Sequence, residues 1–163
     1  LSRKVHGSAG ACDANLALSA PYSVECRVGG PTRLILRFDQ NVAKGPAFAV
    51  DLTGTATLDQ AAVDGSDLVL DLSGVANRQW LAVKVRDLEG PTGSGGDYSI
   101  VLGVLCGDVS GDGDVDNGDM IQVRNHRGET AASSLARYDV NVNGEIDNGD
   151  MIVVRNRRGG LLP

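Results

Sequence analysis

Two stretches decide how this chain is read: DVSGDGDVDNGD from Asp108 to Asp119 and DVNVNGEIDNGD from Asp139 to Asp150. They start 31 residues apart, and aligning Gly107–Gly128 with Tyr138–Gly159 gives 14 identities in 22 positions, so a structural unit has been duplicated. A twelve-residue calcium loop supplies oxygens from positions 1, 3, 5, 7, 9 and 12 and turns sharply on a glycine at position 6. The first copy offers Asp108, Ser110, Asp112, the Asp114 carbonyl, Asp116 and Asp119, with Gly113 at the turn. The second offers Asp139, Asn141, Asn143, the Glu145 carbonyl, Asp147 and Asp150, with Gly144 at the turn. Alternating side chains can wrap one hard cation that needs six or seven oxygens at about 2.4 Å. An acidic, solvated loop would have to reach this register twice by chance. Two Ca2+ sites are therefore expected, the second weaker because, with Asn at two ligand positions, it has fewer charges.

Val115 and Ile146 fill position 8, where an apolar side chain can pack the loops together. Position 12 is Asp in both copies, one short helical stretch follows each loop (MIQVRNHRG and MIVVRNRRG), and no matching helix precedes either. That combination resembles dockerin type I modules, over about residues 106–160. The resemblance implies paired EF-hand-like calcium loops and a cohesin partner. It places partner contacts at Asn117, Gly118, Arg124 and Asn125, and at their twins Asn148, Gly149, Arg155 and Asn156. Asn-Gly stands where that family commonly carries a small hydroxyl pair.

The chain has 163 residues, 42% of them hydrophobic, enough for one or two domains with a real core. Aromatics at 4% argue against a carbohydrate-binding face of stacked rings. Net charge is −6, and residues 107–163 hold ten acids against six Arg, so the acid excess lies where a cation would bind. Basic residues form no aromatic-interleaved patch, which excludes a nucleic-acid partner. No 18-residue apolar run gives a membrane span. A start at Leu1 without a signal peptide's apolar core implies a processed or excised chain. Neutral Ser and Asn ligands suit the millimolar calcium outside cells, so a secreted or bacterial-type cell-surface location is expected.

Cys12, Cys26 and Cys106 match neither a zinc site nor a paired framework. One disulfide and one free thiol is the simplest arithmetic, with Cys12–Cys26 and Cys26–Cys106 both open, and three small buried hydrophobes as the alternative. His6 is expected at the surface or in a turn. Short alternating runs follow: Asn15–Leu18, Tyr22–Val28, Leu34–Phe38, Ala47–Leu52, Thr55–Asp59, Leu68–Leu72, Trp80–Arg86 and Tyr98–Leu102. Asp64-Gly65 and Ser73-Gly74 are turn signals between them. In Trp80–Val85, the side chains of Leu81, Val83 and Val85 should share one face and Trp80, Ala82 and Lys84 the other, with Trp80 as core or sandwich-edge packing.

Seven or eight strands about ten residues apart indicate a mainly β chain with an antiparallel sandwich. LRFDQNVAKG and DLVLDLSGVANRQWLAVKVRDLEGPTG resemble bacterial Ig-like domains, which serve as spacers, adhesive units or assembly units. The expected division is a 1–13 extension, a 14–105 Ig-like β-sandwich and a 106–163 dockerin-like module joined without a flexible linker near Cys106-Gly107. Glu129–Arg137 is expected to form a short helix. Met120, Ile121, Val123, Met151, Ile152 and Val154 should supply most of the module's core, with metal adding to its folding energy.

No nucleophile–base arrangement is present, and the carboxylates concentrate in the calcium loops, so an enzyme is not expected. Two readings follow, the first preferred and the second its alternative. In one, the chain is a self-assembling extracellular structural subunit, a filament that calcium rigidifies, with Val5–Leu18 donating a strand to a neighbouring copy. In the other, it docks onto a cohesin scaffold. The N-terminal segment discriminates: if it packs on its own sandwich, strand donation fails.

Overall fold

The computed structural model describes residues 1–17, 21 and 23–163. Their strands are β1 (Ser2–His6), β2 (Gly10–Ala14), β3 (Val24–Glu25), β4 (Arg33–Arg37), β5 (Ala43–Thr53), β6 (Thr57–Asp64), β7 (Asp67–Ser73), β8 (Gln79–Glu89) and β9 (Gly95–Val104). Two helices follow, α1 (Asn117–Asn125) and α2 (Asn148–Arg157). One sheet runs β2-β1-β4-β7-β6 and the other β3-β9-β8-β5. All pairings are antiparallel except the short β3–β9 contact.

Alternation explains why the sheets face each other. In β7 the period of two turns Leu68, Leu70 and Leu72 inward, and in β8 it does the same for Leu81, Val83 and Val85. With Leu34, Leu88, Leu102 and Val104 these side chains form one buried cluster drawn from both sheets. Each fully buried Leu or Val contributes about 1.5–3 kcal/mol over its exposed state. β6 and β7 close as a hairpin with Asp64 opposite Asp67, and Gly65 supplies the positive φ of the turn. Trp80, on the inner strand β8, is partly exposed, and its indole Nε1 donates to the Pro163 carbonyl at 3.0 Å.

The N-terminal residues are not an extension. Ser2–His6 pairs with both β2 and β4, which places β1 inside the first sheet. Val5–Ala14 is therefore consumed by its own body, and donation of this segment to a neighbour has no free strand to use. Alternation in β1 buries Ser2, Lys4 and His6 while Val5 faces out. The buried set is polar, so the hydrophobic pattern gave no strand signal. Leu18 and Tyr22, ends of two expected runs, lie outside the described residues.

Three other expectations change. Glu129–Arg137 forms a bridge and turns instead of a helix, because Thr130 pairs with Glu145 and the chain then bends through Leu135→Ala132 and Tyr138→Leu135 amide bonds. Neither candidate disulfide forms: Cys12, Cys26 and Cys106 are free and buried. The Cys12 and Cys26 thiols point instead to the carbonyls of Ala131 and Arg137, and burial pushes the Cys26 thiol up to about 12. Ile121 and Ile152 are 47% and 49% exposed, not core. Helical spacing turns Val123 and Val154 inward, with Met120 and Met151 beside them, and the Ile twins away. The missing apolar surface comes from Val109, Val115, Val140 and Ile146 in the loops and from Val24, Cys26, Leu105 and Cys106 in the body. One core thus runs from the end of the sheets into the C-terminal unit.

Candidate metal centre

Each acidic loop is closed by its own side chains. Asp108, at position 1, accepts from the Gly111 and Gly113 amides at 2.6 and 2.9 Å and from the Ser110 hydroxyl at 3.1 Å. Asp119, at position 12, accepts from the Ser110 amide at 2.7 Å and the Asp116 amide at 2.8 Å. The second loop repeats this: Asp139 accepts from Asn143 and Gly144, and Asp150 accepts from Asn141 and Asp147. Gly113 and Gly144 hold φ of +96° and +102° at the sharp turn, where an L side chain would be strained.

Helix starts position the last ligands. Asp116 and Asp147 are the N-caps of α1 and α2, and each forms a reciprocal capping box with Asp119 or Asp150. A carboxylate in the first turn is also favoured by the helix dipole. Position 12 must therefore reach both the N-cap amide and the loop interior, which the short Asp side chain does here.

Position 8 joins the halves in an exchanged pattern. Val115 donates to the Gly160 carbonyl and accepts from Gly159, while Leu162 donates to Gly113. Ile146 donates to the Glu129 carbonyl and accepts from Gly128, while Ala131 donates to Gly144. Each loop is thus pinned by the strand leaving the other repeat's helix. Both side chains are fully buried, as their aliphatic type at this position requires.

The residues fit a cation. Carboxylate oxygens of Asp114, Asp116 and Asp119 lie within 4.8 Å of one another, and Asp114 Oδ1 is buried without a hydrogen-bond partner. Asp114 was expected to contribute its carbonyl; its carboxylate converges too. Burial, then the neighbouring Asp112, Asp116 and Asp119, push the Asp114 carboxyl above its ordinary value. Burial also raises Asp108 and Asp150, although loop amides pull both the other way. Crowded, desolvated carboxylates are a cost that a bound divalent cation removes. Asn141, Asn143 and Asp147 flank the second loop's Asp139 and Asp150 in matching register, with Glu145 exposed beyond them.

The expected partner residues are exposed, with one exception. Asn117, Gly118, Arg124 and Asn125 on α1 are exposed, as are Asn148, Arg155 and Asn156 on α2, with Gly149 half-buried. Positions 117, 118, 121, 124 and 125 follow the helical period, so exposed Ile121 shares their face, as Ile152 does on α2.

Sequence inspection did not find the network behind the second loop. Arg27 is completely buried, and its Nε and Nη2 donate to the two Glu25 oxygens at 2.7 Å each. Its remaining donors reach His6 Nε2 at 2.9 Å, the Cys12 carbonyl and Ser2. His6, expected at the surface, is buried, and its Nδ1 lies 2.7 Å from Asp139 Oδ2. Arg27 can only donate, so Nε2 accepts and Nδ1 carries the proton that goes to Asp139. Burial opposes ionisation of Glu25, but the Arg27 bonds and the Ser2 hydroxyl overcome it and hold the carboxyl below its ordinary value.

Residues 106–157, about a third of the chain, match the family model of the Dockerin type I domain. That span is a dockerin type I-like module, and its partner class is protein. Dockerin type I domains bind Ca2+ in EF-hand-like loops, and dockerin domains bind cohesin domains. No curated protein and no solved structure matches the chain. No helix among the described residues is long and apolar enough to cross a membrane.

Proposed function

We propose that this chain is a non-catalytic, calcium-dependent docking protein of the bacterial exterior. Its 106–163 unit holds one Ca2+ in each loop and presents α1 and α2 to a cohesin-like partner. Asp108, Ser110, Asp112, Asp114, Asp116 and Asp119 would hold the first ion. Asp139, Asn141, Asn143, Glu145, Asp147 and Asp150 would hold the second. Bound calcium supplies charge neutralisation that lets the two loops and their helices keep a fixed spacing.

The observation that carries this reading is the duplicated exposed face beside the duplicated loops. Asn117, Gly118, Ile121, Arg124 and Asn125 recur as Asn148, Gly149, Ile152, Arg155 and Asn156. Two large aliphatics left about half exposed in a small unit fit a protein contact better than solvent. The β body, residues 1–105 with the N-terminal hairpin included, acts as an Ig-like spacer that sets the unit's orientation. Shared apolar packing across Leu105 and Cys106 supports a fixed junction.

The test is binding of the whole chain to immobilised type I cohesin domains in millimolar calcium and in excess chelator. Binding in calcium that is lost in chelator, and weakened by Ile121→Asp, supports docking. A chain that ignores cohesins but forms chelator-sensitive filaments by electron microscopy would replace docking with self-assembly.

A further inference from the structure

We propose that His6, delivered by β1 of the body, is a positioning residue for the second calcium loop. The inference rests on the calcium reading of Asp139. In the first loop, Asp108 is oriented by Ser110, Gly111 and Gly113, all from its own loop. In the second, Asp139 Oδ2 accepts from Gly144 at 2.8 Å and also from His6 Nδ1 at 2.7 Å, 133 residues away in sequence. The imidazole is held from behind by Arg27, whose guanidinium is anchored on Glu25. An outer donor that fixes the orientation of a ligating group typically changes metal affinity about 10–100-fold when removed.

The backbone packing makes the contact specific to the second loop. The turn Gly7–Ala9 lies directly on Asn143–Gly144. A Cβ added at Gly7 would collide with the Asn143 carbonyl, and one at Gly144 would come within 2.7 Å of the His6 carbonyl. Val28 adds an amide bond to the Val140 carbonyl at 2.8 Å. Gly113 and Val115 of the first loop instead bond the C-terminal segment at Gly159–Leu162. Among the described residues, Asp139 thus takes a side-chain donor from the body while Asp108 takes its donors from its own loop, and occupancy of the second site and the packing of β1 stabilise each other reciprocally.

The experiment is a calcium titration of the metal-free full chain by amide NMR, reading Gly113 for the first loop and Gly144 for the second. His6→Gln keeps an acceptor for Arg27 but loses the donor to Asp139; His6→Asn keeps that donor and loses the acceptor. Both leave one buried partner unmet and lower stability in chelator. A positioning role predicts that His6→Gln weakens calcium at Gly144 about tenfold or more. Under that role His6→Asn stays within about threefold at Gly144, and Gly113 is unmoved in both. Hydrogen exchange should also show calcium slowing the β1 amides in the unaltered chain but not in His6→Gln. Equal weakening at both glycines, or no change at Gly144 in His6→Gln, overturns the inference while leaving calcium binding intact. An unaltered chain whose Gly113 and Gly144 ignore calcium overturns the calcium reading and this inference together.

Discussion

Replacing Arg27 by Met tests the buried network most severely. The substitution keeps an unbranched stem but deletes a guanidinium whose every donor is used. Glu25 would retain only the Ser2 hydroxyl and the Arg27 backbone amide. Its carboxylate would be a desolvated, largely uncompensated charge, and removing one partner of such a buried pair costs about 3–5 kcal/mol. His6 Nε2 and the Cys12 carbonyl also lose their donor, which places the expected loss toward the upper end of that range. With a urea slope of about 2 kcal/mol/M, the unfolding midpoint should fall by about 2 M. The assay is equilibrium unfolding in chelator, followed by fluorescence of Trp80, the single tryptophan. The double variant Glu25→Gln/Arg27→Met removes the stranded charge and should recover at least about 1 kcal/mol. A single variant that loses under about 1 kcal/mol, or a double variant no better than the single, would refute the assignment of this pair as a coupled, buried unit.

Val142 occupies position 4 of the second loop at φ +59°, where the first loop has Gly111 at +81°. Val142→Gly should relieve about 1–2 kcal/mol of left-handed strain against a smaller gain in unfolded-chain entropy, raising thermal stability in chelator; an unchanged or lower midpoint contradicts this. The three thiols should resist alkylation in the native chain and all react under denaturant, because each is buried and burial raises its pKa. A single reactive thiol in denaturant, under exclusion of air and without reductant, would instead indicate a native disulfide. Arg3, Arg33 and Arg37 hydrogen-bond Asp13, Asp71 and Asp67 and hold these carboxyls below their ordinary values. A depressed carboxyl adds stability that is present above its unfolded pKa and is lost as pH falls through its folded one. Asp71→Asn should therefore flatten the acid limb of the melting profile slightly, and less in high salt, since such exposed pairs contribute little.

What could be read in the sequence was whatever local chemistry dictates. The twelve-residue register of the two loops, the short helix behind each and the strands from Leu34 to Leu102 follow from spacing and alternation, and the buried face of β8 came out as expected. The N-terminal hairpin did not, because its inward side chains are Ser2, Lys4 and His6, and a polar stripe reads as surface until its partners are known. His6 was discounted for lacking a nearby metal partner in sequence, yet its partners are Arg27 and Asp139, brought together only by the fold. Ile121 and Ile152 were assigned to a core by hydrophobicity alone. Once Val109, Val115, Val140 and Ile146 fill the interior, no room remains for them there.

Calcium stoichiometry is the most direct measure of the paired loops. Calorimetric titration of calcium into the fully chelated full-length chain should show two equivalents per chain. The second loop should be the weaker site, since Asn143 stands where the first loop has Asp112 and leaves it one charged ligand fewer. No heat of binding up to millimolar calcium, or a single equivalent that survives removal of the first loop's Asp119, would contradict the paired-loop reading from which the docking proposal follows.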